Sequence, residues 1–149
     1  MNGNRTTWRG RLLNNLFPRV KASLIVLFVD PDIAGVKRLA AGLRDLTALA
    51  IAPTAKDAYA ALNERIPSLI VMDLDLPDTS GLDLLTTIRS MPALRQTPVL
   101  VITTRESAAD KVAAFRKGAD DYMVKPVTPS QFALHVHLLT RAGQVASGP

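Results

Sequence analysis

The sequence predicts an α/β domain: a parallel sheet of five short strands with helices packed on both faces. Three observations carry that expectation. Short apolar runs rich in β-branched residues occur at Leu24–Val29, Leu46–Ile51, Leu69–Met72, Val99–Ile102 and Asp121–Val124. Their length and bounding residues suit strands buried on both faces. Stretches of helical period lie between them, so strand and helix alternate along the chain, as a parallel sheet with crossover helices requires.

The helices follow from residue spacing. Ile33, Val36, Leu39, Ala40 and Leu43 share one face of the first. Ala55, Ala58, Tyr59 and Leu62 mark the second, and Leu82, Leu85 and Ile88 the third. Ala108, Val112 and Phe115 give the fourth, and Phe132, Val136 and Leu139 the last. Thr54 and Ser107 are N-cap candidates, because each hydroxyl can accept from a free N–H of the first turn. Thr128 before Pro129 is a cap followed by proline at the first helical position. Gly118 after Arg116 and Lys117 reads as a helix C-terminus.

Composition bounds the rest. The chain has 149 residues, 48% hydrophobic and 21% charged, which suits one compact domain rather than a disordered chain. It lacks cysteine, so thiolate metal sites and cysteine nucleophiles are excluded. No apolar run approaches membrane-spanning length and no secretory leader is visible, so a cytoplasmic protein without a membrane span is expected.

The net charge of +5 is concentrated in residues 1–21, which hold Arg5, Arg9, Arg11, Arg19 and Lys21 and no acid. The remainder balances to zero, so no basic face for nucleic acid is expected of the domain. Trp8, Leu12, Leu16 and Val20 recur every four residues among these arginines. The spacing predicts a basic amphipathic helix over about residues 6–17 within an N-terminal arm, 1–22. Packing of the arm on its own domain or on a second copy is the expected use; the alternatives are a disordered tail or remnant of a neighbouring segment, and binding to an acidic partner, a membrane surface or nucleic acid. Residues 142–149 are small and polar and read as a flexible tail.

In a doubly wound sheet, ligands sit beyond the carboxyl ends of the strands. The first predicted strand ends in Asp30-Pro31-Asp32 and the third in Asp73-Leu74-Asp75. The fourth ends in Thr103-Thr104 and the fifth in Lys125-Pro126. One edge thus collects carboxylates, a hydroxyl and an ammonium. Clustered carboxylates disfavour each other's charged form unless a cation joins them. Mg²⁺ held by oxygen ligands is the natural partner, and a lysine suits a phosphoryl group. That set fits phosphoryl transfer, with a carboxylate able to act as acceptor. No glycine-rich loop follows the first strand and no G-x-S-x-G elbow occurs, so nucleotide-cradle, dehydrogenase and serine-hydrolase readings are poor.

These residues carry a family resemblance. Asp73-Leu74-Asp75-Leu76-Pro77, followed by Gly81-Leu82, resembles the phosphoacceptor loop of response regulator receiver domains. Val99–Thr104 is similar to their fourth strand with its switch hydroxyl, and Gly118–Pro126 to their fifth strand with its lysine–proline pair. The resemblance covers residues 23–141. It implies a flavodoxin-like sheet of order 2-1-3-4-5 and a receiver in a two-component phosphorelay. Asp73 would be the phosphoacceptor, and Asp30, Asp73 and the backbone carbonyl of Asp75 would hold Mg²⁺. Thr103 would bind a phosphoryl oxygen, Lys125 would pair with the phosphoryl charge across a cis peptide to Pro126, and Thr103 with Tyr122 would form the switch. Such a domain is a phosphoacceptor that assists its own phosphorylation and dephosphorylation, not a turnover enzyme. The implied partners are a histidine kinase or phosphotransfer protein, a downstream protein, and a second copy of the chain.

The sequence also departs from the pattern. Receiver domains end their first strand with two adjacent acids, whereas Pro31 follows Asp30 here. Either Asp32 substitutes as ligand or Mg²⁺ affinity falls. Asp32 otherwise reads as an acid favouring the helix dipole, and Pro31 as helix initiation. Thr104 stands where a small residue is usual, and Asp75 adds a second carboxylate at the site mouth. Asp78 and Asp83 read as loop and helix-terminal charge. His135 and His137 lie two apart on a helix, share no face and read as ordinary surface residues. The rival readings are a receiver working as a phosphorylation-independent interaction or dimerisation module, and an aspartyl-phosphate phosphatase using Asp30-Pro31-Asp32. The order of the other motifs speaks against the phosphatase.

Overall fold

The computed structural model describes residues 9–10 and 24–146. Five parallel strands form the sheet: β1 (Leu24–Val29), β2 (Leu46–Ala52), β3 (Leu69–Met72), β4 (Val99–Thr103) and β5 (Asp121–Val124). Their spatial order is β2-β1-β3-β4-β5, as the resemblance implies. The helices are α1 (Ile33–Ala40), α2 (Ala55–Glu64), α3 (Gly81–Ser90), α4 (Ala108–Arg116) and α5 (Pro129–Ala146), with a short 3-10 turn at Pro92–Leu94.

Side-chain alternation along the strands builds two cores. Leu27, Val29, Ile70, Met72, Val99 and Val101 face α2, α3 and α4, where Ala58, Leu62, Leu84, Leu85 and Ile88 meet them. Val26, Phe28, Leu69, Val71, Leu100 and Ile102 face α1 and α5, against Val36, Leu39, Phe132 and Val136. The Phe28 and Phe132 rings lie 5.6 Å apart across that second layer. Burying a side chain of this size contributes about 1.5–3 kcal/mol, so the continuous apolar runs of β1, β3 and β4 fix the centre of the sheet.

The expected caps form. Thr54 Oγ1 accepts from the Asp57 N–H at 3.0 Å, and Ser107 Oγ from the Asp110 N–H at 3.1 Å. Thr128 and Gln131 form a reciprocal capping box, each side chain accepting from the other's N–H at 3.1 Å. Gly118 ends α4 at φ 112°, a conformation that favours glycine.

Three expectations need correction. Arg9–Gly10 is extended and pairs antiparallel with Leu49 and Ala48 on the outer edge of β2. The amphipathic helix expected over residues 6–17 is therefore absent at these two positions. An exposed parallel edge offers free N–H and C=O groups, and backbone pairing satisfies them whatever the side-chain period. Trp8, Leu12, Leu16 and Val20 lie outside the described residues. On α4, Val112 and Phe115 are 47% exposed, and Ala114 faces the core instead. Ile33 likewise sits on the outer side of α1, 42% exposed. Helix α5 runs on to Ala146, past the point where a flexible tail was expected to begin.

Candidate functional site

Sheet register brings the site together. Val29 at the end of β1 lies beside Ala52 of β2 and Met72 of β3. The next residues stay tied to their neighbours: the Asp30 N–H donates to the Ala52 carbonyl at 3.0 Å and the Asp73 N–H to the Val29 carbonyl at 2.9 Å. Asp30 and Asp73 therefore leave adjacent strands side by side. On the other flank Thr103 pairs with Val124, and the Lys125 N–H donates to the Thr103 carbonyl at 2.8 Å. The Lys125–Pro126 peptide is cis.

From that position the Lys125 ammonium reaches back across the sheet end. Nζ donates to Asp30 Oδ2 and to Asp73 Oδ2, at 2.9 Å each. Both carboxylates are buried. Burial alone would pull the lysine pKa down, but the bonds and charges of Asp30 and Asp73 outweigh it and hold the ammonium above its ordinary value. The remaining oxygens are occupied by backbone. Asp30 Oδ1 accepts from the Asp32 N–H at 2.8 Å. Asp73 Oδ1 accepts from the N–H groups of Leu74 at 2.6 Å and Asp75 at 3.2 Å. Thr103 is fully buried, and its hydroxyl accepts from the Arg105 N–H at 3.4 Å.

Asp32 and Asp75 are turned elsewhere. Asp32 is the N-cap of α1, its Oδ1 accepting from the Gly35 N–H at 3.1 Å. The Asp75 side chain pairs with Arg105 at 2.6 Å, and that guanidinium also lies 3.5 Å from Asp110. The hydrogen bond and charge of Asp75, then Asp110, raise the Arg105 pKa. Tyr122 donates from its hydroxyl to the Arg105 carbonyl at 2.7 Å, and its ring packs 6.3 Å from that of Phe115. Burial, followed by the charge of Asp110, pushes the phenol above its ordinary pKa. Thr104 is exposed. An open groove of about 550 Å³ lies over this edge, with Pro31, Asp75, Ser80 and Arg105 among its walls.

Among the described residues, no group of three or more acids or histidines gathers as a metal centre. Pro31 supplies no side-chain oxygen and Asp32 caps α1, so the carboxylate set comprises Asp30 and Asp73. The Asp75 carbonyl accepts no hydrogen bond among the described residues. Two carboxylates and a free carbonyl still suit Mg²⁺, which takes one or two carboxylates and completes its octahedron with water and phosphate oxygens.

Several contributors escaped the sequence reading. Asp78 caps α2 from the β3–α3 loop: Oδ1 accepts from the Ala55 N–H at 2.9 Å and Oδ2 from the Lys56 N–H at 3.0 Å. These backbone bonds, Ala55 first, hold its carboxyl below the usual range. Arg89 binds the carbonyls of Leu94, Thr97 and Gly118 and the Asp120 carboxylate. His135 Nδ1 lies 2.5 Å from Asp121 Oδ2, joining α5 to β5. Each reaches at least one partner more than a dozen positions away, which local spacing does not reveal. An acid within a Pro-x-x-Ser loop was the one available hint for Asp78.

Comparison with known proteins places the chain. Residues 26–137 match the response regulator receiver domain. The chain is 42% identical over 103 residues to the transcriptional regulatory protein PhoP of Escherichia coli K12, covering 66% of this chain and 45% of that protein. It is 38% identical over 126 residues to the transcriptional regulatory protein PrrA of Mycobacterium tuberculosis, covering 82% and 52%. Its fold matches that of the response regulator DrrB of Thermotoga maritima with a TM-score of 0.72 at 25% identity, covering 81% and 54%.

The chain belongs to the receiver-domain family of two-component response regulators. Members of this family accept a phosphoryl group on an aspartate, pass the signal on through a surface, and take Mg²⁺ at the phosphorylation site; they are phosphoacceptors rather than turnover enzymes. The chain spans about half the length of the regulators PhoP and PrrA. No helix among the described residues is long and apolar enough to cross a membrane.

Proposed function

We propose that Asp73 accepts the phosphoryl group, that Lys125 neutralises the resulting charge, and that Thr103 and Tyr122 report the change to the surface. The observation that carries this reading is the double bridge from Lys125 Nζ to Asp30 and Asp73 at 2.9 Å. It puts a mobile cation where negative charge would grow.

Asp73 Oδ1 is held by two backbone N–H groups, while Oδ2 has the ammonium as its partner. Backbone donors cannot leave, but a lysine side chain can swing. Oδ2 is therefore the oxygen free to attack. It forms the new O–P bond as the donor's P–N bond to a phosphohistidine breaks, and that electron pair stays with the departing imidazole. Lys125 then exchanges a carboxylate oxygen for a phosphoryl oxygen at little geometric cost. Asp30, Asp73 and the Asp75 carbonyl would hold Mg²⁺, which supplies charge neutralisation for the three phosphoryl oxygens.

The Arg105 segment links site and surface. Its N–H meets the Thr103 hydroxyl, its guanidinium meets Asp75, and its carbonyl meets the Tyr122 hydroxyl. A phosphoryl oxygen recruiting Thr103 would disturb that segment and so release or re-seat Tyr122. The partners of this reading are a histidine kinase or phosphotransfer protein upstream and a protein target downstream, in the cytoplasm. Acetyl phosphate with Mg²⁺ tests it: intact mass should show one phosphoryl adduct on wild type and none on Asp73→Asn. An adduct that survives in the variant refutes the assignment.

A further inference from the structure

A second cavity lies between α1 and the loop that joins β5 to α5, and the bridged pair Asp30 and Lys125 forms part of its wall. Its volume is about 250 Å³. Phe28, Val71 and Ile102 line it from the sheet, Val36 and Leu39 from α1, and Val127 from the far loop. All six are buried. Such a lining offers water few partners, and an apolar cavity of about 150 Å³ already suffices to bind a benzene-sized molecule.

The mouth is polar. Asp32 is exposed at the rim; its Oδ1 caps α1, and its Oδ2 has no hydrogen-bond partner among the described residues. That oxygen leans over Gly35: a Cβ at position 35 would come within 2.3 Å of it. Glycine at this point of α1 leaves room for the carboxylate beside the cavity wall. Lys125 also lines the cavity, but its ammonium is engaged by Asp30 and Asp73. Arg38 is exposed on the outer rim.

We infer that this cavity binds a compact aromatic amine, with its ring on the Phe28–Val71–Ile102 floor and its ammonium on Asp32 Oδ2. Apolar burial drives the body in, and a charge-assisted hydrogen bond selects the head group. The ligand would stand beside the Asp30–Lys125 pair. The inference goes beyond the phosphoacceptor reading and does not depend on it.

Tryptamine is the probe. Titrated into the full chain without any phosphoryl donor, it should shift the methyl resonances of Val36, Val71, Ile102 and Val127, with a Kd of about 1 mM or tighter for a ligand of this size. Indole-3-propionate, with the same ring and the opposite charge, should bind about tenfold more weakly. Asp32→Asn keeps a competent N-cap and should weaken tryptamine about tenfold. Val36→Phe, confirmed as folded by its dispersed spectrum, should abolish the shifts. Absent shifts in wild type, equal affinity for the carboxylate probe, unchanged affinity in Asp32→Asn or persistent binding in folded Val36→Phe each overturn the proposal. Because no phosphoryl chemistry is involved, such a failure leaves the Asp73 reading standing.

Discussion

Asp78 caps a helix that begins more than twenty residues before it in the chain. Its Oδ1 takes the Ala55 N–H of α2 at 2.9 Å, and the loop that carries Asp73 and Asp75 is thereby fastened to the neighbouring α2. Losing an N-cap acceptor costs about 1 kcal/mol. Asp78→Ala should lower urea stability at neutral pH by about that amount. The carboxyl is held below its ordinary value of 3.8, so its contribution is present above that pH and disappears as pH falls through the lower folded value. The gap between wild type and Asp78→Ala should therefore close in strong acid. A gap that widens there would contradict the cap.

Gly81 sets the shape of the same loop. A Cβ there would meet the Asp73 carbonyl oxygen and the Leu74 Cα at 2.5 Å each. Both are backbone atoms, so neither can rotate away. Gly81→Ala should cost at least about 1–3 kcal/mol and slow phosphorylation from acetyl phosphate, since the strain falls on Asp73 itself. Neutral stability and wild-type adduct formation would show that α3 can shift without dragging the loop.

Lys125 should be worth more to the fold than either acid it bridges. Lys125→Met leaves two buried carboxylates facing each other, whereas Asp73→Asn leaves Lys125 with Asp30. The partly exposed Lys125 side chain leaves water a path to the acids and softens the penalty of an uncompensated buried charge, giving about 1–3 kcal/mol for Lys125→Met and less for Asp73→Asn. The lysine pKa is raised from 10.5. Its contribution is complete below that value and is lost as pH rises through the higher folded one. Urea melts of wild type and Lys125→Met should converge above about pH 10.5. Divergence in alkali would contradict the bridge.

Arg89 is a structural fastener. Its guanidinium serves the Leu94, Thr97 and Gly118 carbonyls and Asp120 together. Arg89→Lys, with one compact ammonium in place of a planar fork, should recover little of what Arg89→Met loses. Thermal melts of the three proteins check this, and full rescue by lysine would show that charge alone suffices.

The parts of this fold that were legible in the sequence are those governed by short-range rules. The runs of β1, β3 and β5 match the observed strands end to end, and Thr54, Ser107 and Thr128 cap as their chemistry demands. Asp30, Asp73 and Lys125 were legible because parallel strands must deliver their ends to one edge. The misreadings share a cause. Helix α4 has alanines on most faces, so Val112 and Phe115 dominate its pattern while small Ala114 does the packing. Trp8 and its spacing suggested a helix where the open edge of β2 instead recruits Arg9–Gly10 as a strand. Asp78, Arg89 and Arg105 act on distant backbone or on charges brought near by folding, and no local spacing encodes that.

On this reading the Asp73 carboxylate held by Lys125 is the phosphoryl acceptor. Peptide mapping after borohydride trapping of the acetyl phosphate adduct tests it most directly. A single modification at residue 73, absent in Asp73→Asn and formed when Asp30 or Asp75 is replaced singly, is the expected result. Modification at Asp30, Asp32 or Asp75 of wild type, with residue 73 untouched, would contradict it.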